Sequence, residues 1–257
     1  KEEGGFLALD LQARRQQAME ADLRLIRREA QRQPVVLALD NLQWIESETE
    51  QALGTQTLAW LDDKHVLRPS ELPPETVTQI TQGFDMLRHG LPMEADLRLE
   101  FRYSPMVGAN AFALPGGTIV ITDEMINTAH TEDDVLAVLA HEIGHEELRH
   151  TMRQVLQGSA TAVLVASLTS NAASLSTAVA GLPVALLQAK YSRHFETEAD
   201  GYAFRLLKQR GISSEAFADI MERLERKDKG RLRTFSFLAS HPMTAERIRR
   251  AREAAAK

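Results

Sequence analysis

Cysteine is absent from all 257 residues. Structural disulfides, thiolate metal sites and cysteine nucleophiles are thereby excluded, and any bound metal must be held by histidine and carboxylate. A cysteine-free chain is compatible with an oxidising compartment without requiring one. A surplus of positive charge is missing too. The 30 Lys and Arg face 36 Asp and Glu, for a formal net charge of −6 and a pI near 5.8. That leaves no electrostatic footprint for nucleic acid, and none is expected as a partner. The basic run Arg223 to Arg233 is interrupted by Glu225 and Asp228 and reads as a solvated face. Arg247, Arg249, Arg250 and Arg252 stand where cations can cover a helix end. No run of about 20 strongly apolar residues occurs, so nothing clearly spans a membrane. The chain starts at Lys1 without a signal-peptide pattern, as a processed or excised piece would.

What remains is an ordinary globular balance, 44% hydrophobic and 26% charged, on a length that suits one large domain or two small ones. Residues 1–45 are expected to form a helical appendage of unknown role: a charged helix from Asp10 to Gln33 with a thin apolar stripe, stopped by Pro34. Residues 46–257 form the main domain. Two helices are expected over 46–90, the second opening at Pro73-Pro74 and closed by Gly90-Leu91-Pro92. The period then switches to two. Leu97, Leu99, Phe101 and Tyr103 alternate with Arg98, Glu100 and Arg102, as in a half-buried strand. The segments Asn110–Leu114 and Thr118–Thr122 flank Pro115-Gly116-Gly117, a hairpin turn in which Pro presets φ and Gly tolerates positive φ.

A long helix is expected from Glu132 to Gln157. Thr131 and Asp134 form a capping pair, and Glu132, Asp133 and Asp134 suit a helix N-terminus. It carries His141-Glu142-Ile143-Gly144-His145. Residues four apart share a helix face, so His141 and His145 can direct two imidazole nitrogens at one metal ion. Glu142 lies beside the metal, where a carboxylate can take a proton from water that the metal activates. His130 and His150 read as surface histidines.

No charged residue occurs between Gln154 and Ala189. This stretch reads as one or two buried helices or, alternatively, as a mobile lid over the site that makes peripheral membrane contact. Another helix is expected from Leu186 to Gln209, ending at Gly211. Ser213-Ser214 caps the next, residues 232–239 form a short apolar element, and Thr244 caps the last helix. Two histidines leave a catalytic metal one protein ligand short. Glu196 can supply it, and Asp200, one turn later, can accept a hydrogen bond from a ligand histidine's other ring nitrogen. Glu198 points elsewhere and reads as a surface residue.

Four blocks together resemble the M48 metallopeptidases, the Ste24/HtpX-type gluzincins. They are Asn110 to Gly117, His141 to His145, Ser192-Arg193-x-x-Glu196-x-x-Ala199-Asp200, and Ser240-His241-Pro242 followed by Glu246-Arg247. The resemblance covers residues 46–256. It implies an α+β, mainly α, zincin-like fold with a small sheet and hairpin beside the metal helix. It implies one Zn2+ per chain on His141, His145 and Glu196, with Glu142 as general base and His241 stabilising the tetrahedral intermediate. Asn110, Ala111, Phe112 and Gly117 would contact substrate along an edge strand. The expected activity is zinc-dependent endopeptidase action on unfolded or misassembled proteins, in or at a bacterial-type cell envelope. The alternative is a latent zinc protein acting mainly as a chaperone-like binding module, with the 154–189 stretch covering the metal or His241 as a fourth ligand. A helical scaffold without metal would require all four blocks to be coincidence.

Overall fold

The computed structural model describes residues 47–155, 191–228, 236–242 and 244–256. The expected appendage and residues 156–190, which hold most of the uncharged stretch, lie outside the described residues. Helix α1 spans Ser47–Asp63, followed by the two-residue strand β1 (Arg68–Pro69), helix α2 (Pro74–Arg88) and strand β2 (Arg98–Tyr103). Pro74 opens α2 where its missing N–H costs nothing. Strands β3 (Ala111–Leu114) and β4 (Thr118–Thr122) form the expected hairpin, with Leu114 opposite Thr118. Gly116 and Gly117 both hold positive φ, 84° and 91°, which the turn requires.

The sheet order is β1-β2-β4-β3. β4 lies between β2, to which it is parallel, and β3, to which it is antiparallel. β3 is therefore an edge. Period-two patterning divides the hairpin between two apolar clusters. Phe112, Leu114 and Val120 pack with Leu61 and Leu67 on the α1 side. Ala111, Ala113, Ile119 and Ile121 face the larger core of helices on the other side. Gly54 of α1 seats directly on the turn, since a Cβ there would lie 2.1 Å from the carbonyl oxygen of Pro115.

After a short helix α3 (Asp123–Ile126), helix α4 runs Glu132–Glu147 and is buried continuously from Asp134 to Glu146. Its N-terminus carries a complete capping box between Thr131 and Asp134. Burial of Val135, Leu136, Val138, Leu139 and Ile143 against the sheet and α2 anchors it, each side chain contributing on the order of 2 kcal/mol. The remaining helices are α5 (Arg193–Gln209), α6 (Glu215–Asp228), α7 (Phe237–Ser240) and α8 (Ala245–Ala255). α5 and α6 pack directly on α4. Gly144 permits the α4–α5 approach: a Cβ there would meet the backbone of Ala199 at 3.0 Å. The α+β, mainly helical class is as expected. No helix among the described residues is long and apolar enough to cross a membrane.

Two expected helices differ. α4 does not continue to Gln157: Leu148 and Arg149 turn the chain, Arg149 at φ 53°, and a new helical run occupies 150–155. The helix read from Leu186 is not helical at Tyr191 and Ser192. It starts at Arg193, because the Ser192 side chain caps the N–H of Phe195.

Candidate metal centre

Three separate pieces of chain meet on the inner face of α4. His141 and His145 come one turn apart from α4, Glu196 from the first turn of α5, and His241 from the residue that ends α7. One ligand atom from each lies within 4.8 Å of the others, and all four side chains are buried.

The outer nitrogens of both α4 histidines are already engaged. Nδ1 of His141 lies 3.0 Å from Oδ1 of Asp200, and Nδ1 of His145 lies 3.1 Å from Nδ1 of His150. The two Nε2 atoms then face each other at 3.0 Å. A carboxylate accepts and does not donate, so this contact favours the His141 tautomer with its proton on Nδ1 and its lone pair on Nε2. Glu196 adds its carboxylate 3.5 Å from Nε2 of His145 and 3.7 Å from Nε2 of His141. This concentration of buried lone pairs and negative charge, without thiolate, fits a divalent cation of zinc type. The neighbours also hold the Glu196 carboxyl far below its usual range: burial pushes it up, but His241, His145 and His141 outweigh that.

His241 turns Nδ1 to the cluster, 3.0 Å from Oε1 of Glu196 and 3.3 Å from Nε2 of His141. Its Nε2 lies 3.5 Å from Oε1 of Glu142. Glu142 is fully buried, and burial raises its pKa against the opposing pull of His241 and His141. Burial lowers the pKa of His145 well below the ordinary imidazole value, which favours the neutral ring.

Asp200 accepts two bonds of 2.8 Å from the guanidinium of Arg247, whose Nη1 also reaches Oε2 of Glu196 at 2.6 Å. Arg247 is thus committed to these two carboxylates, with one further bond of 3.2 Å to the carbonyl of Pro242 just beyond α7. It is buried, and it ties α8 to the two acidic side chains of α5. His150 also departs from the sequence reading, while Glu198 stays partly exposed but pairs with it. His150 is fully buried between His145 and Glu198, its Nε2 3.2 Å from Oε2 of Glu198, and burial lowers its pKa to about 4. His130 is exposed, as expected. Tyr191 stacks on His145 at 3.9 Å and hydrogen-bonds Thr151. Glu146, which follows His145, accepts the N–H of Gly117 at 2.8 Å and so fastens the hairpin turn to α4. Burial pushes its pKa up to about 8.

The hairpin residues divide. Asn110 is buried, and its carbonyl accepts from Thr122 N–H of β4 at 2.9 Å. Alternation along the strand then turns the peptide groups of Ala111 and Ala113 away from β4. Consistent with this, the Ala113 N–H acts on Glu142, and its carbonyl lies 3.5 Å from Thr151 Oγ1. No strand pairs with that edge among the described residues. Phe112 is not brought to the centre: its side chain packs on the far face of the sheet. The Gly117 N–H is already committed to Glu146.

Comparison with known proteins agrees with this geometry. The model of "Peptidase family M48" matches residues 90–255. Metalloprotease LoiP of Escherichia coli K12 is 36% identical over 206 residues, covering 78% of each chain. Metalloprotease YcaL of the same organism is 35% identical over 151 residues, 56% of this chain and 57% of YcaL. The beta-barrel assembly-enhancing protease of the same organism is 27% identical over 158 residues, 57% of this chain and 32% of that protein. This chain thus spans most of LoiP but only a part of the other two.

Proposed function

This chain belongs to peptidase family M48 and is a metallopeptidase, and on that premise we propose that it is a one-zinc endopeptidase acting on extended segments of unfolded or misassembled proteins. The observation that carries the zinc assignment is the pair of Nε2 atoms 3.0 Å apart whose outer nitrogens are both engaged elsewhere. His141, His145 and Glu196 would hold the ion. When bound, zinc supplies Lewis acidity, lowering the pKa of water and polarising the scissile carbonyl.

The chain's own residues do the rest. Glu142, buried and raised in pKa, is suited to take a proton as water attacks the carbonyl and to hand it to the leaving amine. His241, with Nε2 turned toward Glu142, is available to donate to the developing oxyanion, an effect worth several kcal/mol in other enzymes. The edge of β3 that no described strand pairs supports docking of substrate as an added strand, with Ala111 offering its backbone groups and Ala113 exchanging its present contacts for substrate. Only extended backbone can pair in this way, which is the argument for unfolded substrates. The likeness to a bacterial beta-barrel assembly-enhancing protease favours a place in or at the cell envelope.

A second reading has the protein latent, with His241 as a fourth ligand. It is supported by the position of His241 Nδ1, 3.0 Å from Glu196 and 3.3 Å from His141. Zinc loading followed by metal analysis and digestion of a reduced, unfolded protein tests the main reading. Activity should vanish with a chelator and return with zinc. In His241→Ala, a fall in kcat assigns the oxyanion role, and a rise assigns latency.

A further inference from the structure

We propose that His150 and Glu198 are positioning residues that set His145 in the tautomer able to bind metal, through two hydrogen bonds leading from the partly exposed carboxylate to the ligand. The proposal rests on the metal-centre reading above and adds residues to it. The argument is one of protons. An ionised carboxylate accepts only, so His150 must donate to Glu198 from Nε2, across 3.2 Å. A neutral imidazole that donates from Nε2 accepts at Nδ1. That atom lies 3.1 Å from Nδ1 of His145, which must therefore be the donor. His145 is left with its lone pair on Nε2, facing Glu196 and His141. The reverse assignment would put a proton on the metal-facing nitrogen. Asp200 does the same for His141 in one step. The two arms differ in their ends. Asp200 is buried and held by Arg247, whereas Glu198 is 36% exposed and also faces His194 and Arg153.

Backbone geometry supports the arm independently. Five residues of unbroken helix would carry His150 about 140° around the axis from His145. The turn at Leu148 and Arg149 brings it back. Arg149 adopts the left-handed region without being glycine, at a cost of about 1 kcal/mol. It is held there by its ion pair with Glu50 and by its N–H, which donates to the Glu146 carbonyl at 2.8 Å. His150 then stacks flat on Phe195, ring centroids 4.3 Å apart, immediately before the ligand Glu196.

The test uses the metal-free full chain and its His150→Leu, His150→Asn and Glu198→Ala variants. Zinc affinity is measured by competition with a chromophoric chelator, the cobalt(II) absorption spectrum is recorded, and folding is followed by circular dichroism. His150→Leu should weaken zinc binding about 10–100-fold and shift the cobalt bands. His150→Asn, whose Oδ1 can accept where Nδ1 did, should recover most of the loss. Glu198→Ala should lose several-fold. Parental affinity in folded His150→Leu, or equal loss in the Leu and Asn variants, would overturn the proposal. If His150→Leu does not fold, parental affinity in Glu198→Ala overturns it. Failure of the parent chain to bind zinc defeats the metal-centre reading, and this inference with it; that result is read from the parent alone.

Discussion

Oδ1 of Asp200 lies 3.0 Å from Nδ1 of His141 while both oxygens of the same carboxylate are gripped by Arg247 at 2.8 Å. One buried carboxylate thus faces His141 and anchors α8 to α5. Removing Arg247 leaves Asp200 and Glu196 as buried charges without their cation. Arg247→Met is expected to destabilise the metal-free protein by about 3–5 kcal/mol in urea unfolding. Arg247→Lys should recover little, since an ammonium cannot serve both oxygens of Asp200 and reach Glu196 as the planar fork does. A loss below about 1 kcal/mol for Arg247→Met would mean that the pair is not closed in solution.

Asp200→Asn addresses the same contact from the ligand side. Without a carboxylate, nothing obliges His141 to carry its proton on Nδ1. Zinc affinity should fall about 10–100-fold, measured by chelator competition. Unchanged affinity would detach Asp200 from the metal centre.

The hairpin beside the metal helix is held by close backbone approach. A Cβ on Gly54 would lie 2.1 Å from the carbonyl oxygen of Pro115. Gly54→Ala should therefore push α1 off the turn and cost about 1–3 kcal/mol, more than alanine's helix preference returns. Thermal melts check this, and a raised Tm would contradict it.

Asp134 gives a pH dependence away from the metal. Burial alone would raise its pKa, but the N–H groups of His130 and Thr131 and the guanidinium of Arg223 together hold it below its ordinary 3.8. A depressed folded-state pKa means that the stabilisation is complete above the unfolded value and is lost as pH falls through the folded one. The stability gap between the parent and Asp134→Asn, both metal-free, should be constant from pH 7 to about 5 and narrow below about 4. A gap that persists undiminished at pH 3 would contradict the assignment.

Local signals in the chain carried far. The Thr131–Asp134 box marked where α4 begins, alternation marked β2, and Pro115-Gly116-Gly117 between two apolar runs marked the hairpin of β3 and β4. The spacing of His141 and His145, and of Glu196 and Asp200, was legible because each pair lies on one helix face. What was hidden depended on a left-handed residue with no sequence mark. Arg149 is neither Gly nor Asn, so the break that buries His150 and recruits Glu198 could not be read. Arg247 was misread for another reason: its acidic partners lie 47 and 51 residues away in the chain, and only the packing of α8 brings them together.

The most direct test of the account compares the zinc-loaded chain with Glu142→Gln on a reduced, unfolded protein substrate, with zinc content measured in both. In the proposed mechanism Glu142 moves the proton and does not hold the metal. The variant should retain its zinc and lose activity by about 100-fold or more. Equal cleavage by both proteins, at equal zinc content, would contradict the assignment of Glu142 and with it the proposed mechanism.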